Sequence, residues 1–596
     1  MTKQFITLLF ITFLIASCKN EPKNSETDMN VDQTEAFNKM LDDYYEDGLK
    51  LNPLNATMSG DNRYNDILPN PLSNEYQNNV KAYYTMYSEM LKQFNDANMS
   101  DSEKMTKAIL KWECDINLEG FNYNQDLRPV DQMWSPHLFI GQLASGQSAQ
   151  PFNTIEDYQN WLSRLDGYTE WLHSAETKMR QGIELGHVLP KSLIVKVIPQ
   201  LESGMIEDLD QHLFFSPIKN MPESFNLEDK DMLTEAYTKK LNEKIIPAYK
   251  SLHDFMSTDY MAAGRTTSGI SEIPNGEAFY NYAIKLFTTT NMTADEIHKL
   301  GLSEVARIRS EMEIVKTQVG FTGTLNDFFD HVRTSKELMP FKTAQEVIDN
   351  FNAIHERMKP NLEKLFDLKP KTAFEVRQTE KFREASASAE YNPGSLDGTR
   401  PGIFYTPIPD AKTYNNHQDE SLFLHEAIPG HHYQISLTQE SDELPEFRKT
   451  LWYSGYGEGW ALYSESLGKE LGLYTDPYQY FGTLAAEMHR AVRLVVDTGL
   501  HSKGWTREEA IQYSLDNESE SEAGIISEIE RYMAMPGQAL SYKIGQLKIR
   551  ELRTKAEQTL GDKFDIRQFH NQVLETGCIP LALLEDKINA WIEANK

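Results

Sequence analysis

The chain is restricted first by a helical period that recurs along most of its length. In LTEAYTKKLNEKIIPAYKSLHDFMS (233–257) and TADEIHKLGLSEVARIRSEMEIVKTQV (293–319), apolar residues return every three or four positions on a charged background. That spacing gathers them on one stripe of an α-helix, which needs another element to bury it. The second stretch opens with Thr293 and Glu296, and TREEAIQYSLD opens with Thr506 and Glu509. Both are capping boxes, whose side chains satisfy backbone N–H groups left free at a helix start. Strand-like stretches are few, RPGIFYTPIPD (400–410) being the best, and no repeat of solenoid period is found. The expected fold is mainly α, a large multi-helix assembly with a small β element just before the histidine motif described below.

At 596 residues, with 40% apolar and 11% aromatic content, the chain has ample material for a packed interior. TDYMAAGRTTSGISEIPNG interrupts the helical pattern, so two lobes meeting near 260–275 are expected within a domain running from 35 to 596. A Gly/Ser/Pro-rich region from Ala385 to Gly402 either joins lobes or lines a cleft. The balance of 59 basic and 89 acidic residues gives a net charge of −30. Non-specific nucleic-acid binding needs clustered Lys and Arg, so no nucleic-acid partner is expected.

The N-terminal MTKQFITLLFITFLIASC has Lys3, an apolar run from Phe5 to Ala16, and small residues before Cys18. The run is short for a bilayer span, and residues 1–17 read as a secretory signal. Ile15-Ala16-Ser17-Cys18 resembles a bacterial lipobox, which makes Cys18 the expected lipidation site and 18–34 a polar tether. Membrane contact is then through the N-terminal lipid only. Lys19, where Asp would mark retention, resembles an exported lipoprotein, so a cell-envelope location at the outer membrane, periplasmic or surface-facing, is expected. Cys114 and Cys578 form one disulfide or two buried thiols, and with no C-x-x-C there is no thiolate zinc site.

The chemistry concentrates in LFLHEAIPGHHYQ (422–434). Zinc ligation by histidine needs side chains converging on one point about 2 Å from each nitrogen. In an ideal helix His425 and His431 lie about 9 Å apart along the axis on different faces, and His432 lies about 10.5 Å away. A regular helix therefore cannot make a site here. Pro429 and Gly430 are where a helix breaks, since proline removes a backbone donor and glycine accepts unusual dihedrals. A break there brings His431 back toward His425; the alternative is a capped polar turn.

Glu458, 33 residues after His425, lies in GYGEGWALYSESL on an expected helix, and Gly459 and Ala461 beside it permit close approach of a second helix. Its EGWALYSE segment resembles the NEGFA segment that supplies the third ligand in zinc aminopeptidases. Glu465, seven residues on, either orients a ligand histidine or is an ordinary solvated carboxylate. Two histidines and a carboxylate leave a position open for water, as in a catalytic zinc site. Glu426 beside His425 is placed to accept that water's proton and pass it to a leaving amine.

A donor for the developing oxyanion is then needed opposite the base. In TLAAEMHRAVRLVVDTGLHSKGW, residues His489, Arg493, Asp497 and His501 share one helical face, which either buries salt-bridged partners or lines a cleft. EIERYMAMPGQALSYKIGQLKIREL adds Arg531, Tyr532, Gln538 and Tyr542. Tyr532, Tyr542 and His501 are the candidate donors, and Arg531 a candidate for holding a substrate carboxylate, with His432, Glu465, Arg493 and Gln538 in supporting or substrate-contacting positions.

LHEAIPGHHYQ, GEGWALYSE, DTGLHSKGW and RYMAMPGQALSYKIGQL resemble the signature blocks of the bacterial domain-of-unknown-function family 885. Upstream, RPVDQM, TIEDYQNWLSRL and GEAFYNYAIKLFTTTNMTADEIHKLGLSEV resemble it too, so the similarity spans about residue 35 to the end. The resemblance implies a helical fold among HExxH-like zinc metallopeptidases, similar to helical carboxypeptidases and oligopeptidases. It also implies Zn2+ as cofactor, His425, His431 and Glu458 as ligands, and Glu426 as base; the family motif fits His431 better than His432. The function expected is hydrolysis of peptides in the cell envelope by an exopeptidase or oligopeptidase. The alternatives are a non-catalytic peptide-binding lipoprotein, or a zinc hydrolase of a non-peptide amide.

Overall fold

A computed structural model describes residues 26–596 except 147, 382, 383, 385, 386, 397 and 399, with side chains from residue 33 onward. The expected signal segment and Cys18 lie outside the described residues. The first helix runs Glu26–Leu51, so the expected tether is helical from Glu26 on. Polar composition did not prevent this: the segment continues into an amphipathic stripe, Phe37, Met40, Leu41 and Tyr44, whose burial lets the helix extend backward.

Helices make up most of the chain, and one three-stranded sheet accompanies them. The boxes at Thr293/Glu296 and Thr506/Glu509 both form, each with the reciprocal backbone and side-chain bonds. Tyr158, Trp161, Tyr168, Leu172, Leu233 and Tyr260 share one core in the N-terminal half. From Ile270 onward the buried residues join other cores. The segment between them passes along the helix Pro477–Ser502, where Gly269 lies so close that a Cβ would sit 2.0 Å from the Leu500 carbonyl oxygen. Cys114 and Cys578 are both free and buried, so the two thiols are not paired. Among the described residues no helix is long and apolar enough to cross a membrane.

The sheet has the order β1 (Phe374–Gln378), β3 (Gly402–Thr406), β2 (Glu390–Asn392). Strand β3, the one legible in sequence, is central and largely buried, pairing in parallel with β1 (Val376 opposite Phe404) and antiparallel with β2 (Tyr391 opposite Phe404). The Ala385–Gly402 region contains β2 and lines a cleft through Ser388, Ala389, Glu390 and Tyr391.

Two helix crossings fix the cleft, one under its floor and one behind its wall. The helix Ser454–Glu465, which carries Glu458, meets the helix Ser541–Leu560 through glycines on both sides. A Cβ on Gly459 would lie 2.5 Å from Gly545 Cα, and one on Gly545 would lie 1.8 Å from the Gly455 carbonyl oxygen. Elsewhere Gly301 of the helix Ala294–Gln318 sits against Leu494 and Val495 of Pro477–Ser502, holding that long helix beside the site.

Candidate functional site

The helix carrying His425 runs Asp419–Glu426. Its start is anchored by buried acids: Asp419 accepts from the Tyr414 hydroxyl at 2.9 Å and from Asn350 at 2.6 Å, and Glu420 accepts from Arg357 and from the Tyr474 backbone N–H. Acidic groups there also complement the helix dipole. The helix stops after Glu426, passes through Ala427, Ile428, a cis Pro429 and Gly430, and a new helix begins at His431. Gly430 folds back onto the end of the first helix, where a Cβ would meet the His425 carbonyl oxygen at 1.9 Å. The Pro429 carbonyl accepts from Trp460 Nε1 at 2.8 Å, which ties the break to the Glu458 helix.

The break brings the His425 and His431 rings to 4.8 Å between centroids, at 86° to one another. The Nε2 atoms of both lie 3.5 Å from the same oxygen, Oε2 of Glu458. One ligand atom from each of the three residues falls within 4.8 Å of the others. Hydrogen bonds from imidazole to carboxylate run to about 3.2 Å, whereas four ligands about 2.1 Å from one ion are separated by about 3.4 Å. The donor set and its spacing thus fit a divalent cation such as zinc.

Glu465 accepts from His425 Nδ1 at 2.7 Å and from the Ser421 hydroxyl at 2.8 Å. A carboxylate accepting from Nδ1 fixes that nitrogen as the donor and leaves Nε2 as the atom that faces Glu458. Burial by itself lowers the His425 pKa, but Glu458 and Glu465 overcome it and raise it to about 9. Burial works against ionisation of Glu458, yet the two histidines hold it well below the usual carboxylate range. Burial raises Glu426 above its ordinary value, with the histidines opposing.

These residues floor a cleft of about 850 Å³. Glu426 and Tyr542 line it, and Trp452 stands at its lip with its ring 5.7 Å from His431. The far wall is built by His489, Arg490 and Arg493 from the Pro477–Ser502 helix and by Glu528, Arg531 and Tyr532 from Glu522–Ala534. Glu528 Oε2 accepts from Arg493 (2.9 Å), Arg531 (2.9 Å) and the Tyr532 hydroxyl (2.7 Å), while its Oε1 accepts from Arg531 Nε at 3.0 Å. Burial disfavours its charge, but Arg493 and its other partners hold Glu528 far below the ordinary carboxylate range. The Arg493 guanidinium also stacks on the Tyr542 ring at 4.7 Å.

Three expectations change. His501 does not reach the cleft: it lies two helical turns beyond Arg493, fully buried, with Nδ1 accepting from the Ile270 N–H and Nε2 donating to the Tyr532 carbonyl. It is a packing histidine, which burial pushes to about 3. Tyr532 lines the cleft, but its hydroxyl donates to Glu528 and accepts from Arg493 Nε, leaving Tyr542 as the better-placed phenol. His432 points to the sheet rather than to the cluster, its Nδ1 2.9 Å from the Tyr391 hydroxyl and its ring against Phe374; burial takes it to about 4. Gln538 keeps a supporting position off the cleft lining: it accepts from Arg531 Nη1 at 2.7 Å and so positions that arginine.

Sequence reasoning missed Arg490, Glu518, Glu528 and Tyr391. The Glu528–Arg531 spacing was a findable ion pair at i, i+3. Glu518, which pairs with His489 Nδ1, sits in an acidic run that reads as solvated surface.

Fold and site together define a mainly helical protein with a His–His–Glu cluster at the floor of a polar cleft. The family described as "Bacterial protein of unknown function (DUF885)" matches residues 53–588, and the chain belongs to it. It is similar to a crystal structure of a candidate lipoprotein from Colwellia psychrerythraea, with 29% identity and a TM-score of 0.86 over 94% of this chain and 99% of that one. A candidate lipoprotein of unknown function from Shewanella oneidensis shares the fold, with 19% identity and a TM-score of 0.73 over 92% of this chain and 99% of that one. No curated protein matches the chain.

Proposed function

We propose that the protein is a zinc-dependent peptidase of the cell envelope, anchored by a lipid on Cys18. The observation that carries the reading is the shared 3.5 Å spacing of His425 Nε2 and His431 Nε2 from Glu458 Oε2. His425, His431 and Glu458 would hold the ion, which supplies Lewis acidity to polarise water and the scissile carbonyl. Glu465 fixes the His425 tautomer. Glu426, kept in a buried environment that raises its proton affinity, takes the proton from the attacking water and returns it to the leaving amine. Tyr542 offers a hydroxyl to the developing oxyanion. The lipid anchor is supported by the lipobox-like Ile15–Cys18 and by the candidate-lipoprotein relatives.

The cleft, about 850 Å³, suits short peptides acted on as an exopeptidase or oligopeptidase. Purified protein incubated with a mixed peptide library and read by mass spectrometry tests this. Cleavage that depends on zinc and disappears in Glu426→Gln is expected. A library left intact by zinc-loaded wild type would overturn the reading.

A further inference from the structure

The three arginines of the far wall differ in what they have left to give. Every guanidinium nitrogen of Arg531 already donates, Nε and Nη2 to Glu528 and Nη1 to Gln538. Arg531 is thereby the most committed of the three. Arg493, only 7% exposed, gives Nε to Tyr532 and Nη2 to Glu528 and His489, while its Nη1 has no partner. Arg490, three residues earlier on the same helix, gives Nη1 to the Ala486 carbonyl, and its Nε is buried without a partner. Both side chains line the cleft.

The wall's carboxylates are in the opposite state. Glu528 accepts four bonds, and Glu518 is paired with His489. An unpaired buried charged donor is expensive, and guanidinium edges match carboxylates in shape and charge. Recognition of an α-ammonium would instead need spare acceptors beside these arginines, which Glu518 and Glu528 do not offer; Glu520, which also lines the cleft, is solvent-exposed.

We propose that Arg493, assisted by Arg490, is the docking site for the free C-terminal carboxylate of the substrate, which makes the enzyme a carboxypeptidase. The inference rests on the peptidase reading above and narrows it. Water adds across the last peptide bond: the carbonyl carbon takes the hydroxyl, the C–N bond breaks, and the amine takes a proton. The products are a free amino acid and a peptide one residue shorter. Arg493 and Arg490 take no part in bond changes; they are positioning residues.

The binding test uses the full-length, zinc-loaded Glu426→Gln protein, with N-acetyl-phenylalanine and its amide as probes in calorimetry. The acid is expected to bind about 10- to 100-fold tighter than the amide, the range of a charge-assisted pair. That preference should collapse in Arg493→Lys and, should that variant fail to fold, in Arg490→Gln, whose side chain is half-buried. Acid preference unchanged in both would assign the carboxylate to the metal and overturn the proposal. In turnover by wild type, C-terminal amidation should slow hydrolysis about 100-fold, and N-acetylation should change it little. Equal cleavage of acid and amide, or release of the N-terminal residue, overturns the proposal while the peptidase reading stands. No turnover of any peptide, with arginine-dependent acid binding intact, refutes the peptidase reading and leaves the carboxylate site.

Discussion

The two walls of the cleft use histidine and glutamate in opposite ways. On the far wall Glu528 is met by four hydrogen bonds at 2.7–3.0 Å, three on Oε2 and one on Oε1. On the floor, His425 and His431 address one oxygen of Glu458 from 3.5 Å, too far for a hydrogen bond and close to the edge of a coordination tetrahedron. Residue identity does not separate these arrangements; spacing does. A floor spaced for an ion and a wall spaced for itself predict different responses to the same chemical change.

The largest effect is expected at Glu426, which lines the cleft between the two. Glu426→Gln should reduce kcat by about 10³-fold while leaving zinc content unchanged, by steady-state kinetics and elemental analysis. Next, Glu465→Gln should weaken zinc about 10- to 100-fold, because it removes the acceptor that fixes His425 Nδ1; competition with a chelator measures this. Glu528→Gln, the matching change on the far wall, should leave zinc affinity alone and lower stability by about 2 kcal/mol, since two arginines and Tyr532 lose their shared acceptor. Loss of zinc from Glu528→Gln would erase the distinction between the walls.

The last effect, on the slope of stability with pH rather than on its level, concerns Asp497, beyond the far wall, where burial raises the pKa from 3.8 to about 7. Between those values the folded chain holds a proton that the unfolded chain has released, so stability from this site falls as pH rises through that window. Asp497→Asn should flatten the slope by up to one proton, about 1.4 kcal/mol per pH unit, in denaturant titrations at pH 5 and 7.

The helical fold was legible because its signals are local: apolar period, capping boxes and the small residues Gly459 and Ala461 beside Glu458 all read directly. The broken helix was legible too, since Pro429 and Gly430 forbid the regular alternative. Strands β1 and β2 were not, because they are short and complete a sheet around β3 by contacts distant in sequence. The polar face of the Pro477–Ser502 helix was read as one stripe, yet it divides at its middle. His489 and Arg493 face the cleft, whereas Asp497 takes the Tyr280 hydroxyl and the Gly537 N–H, and His501 packs under Tyr532. Shared face is a helical property, but what that face meets along 26 residues is decided by the rest of the fold. For the same reason His431 and His432, adjacent in sequence, part company: a rotation of about 100° per residue sends one to Glu458 and the other to Tyr391.

That divergence supplies the most direct measurement of the central claim. Crystals grown with zinc and recorded at the zinc absorption edge should show one anomalous peak among His425, His431 and Glu458, lost in His431→Ala and kept in His432→Ala. A peak elsewhere, no peak at all, or a peak that survives His431→Ala and vanishes with His432→Ala would contradict the account.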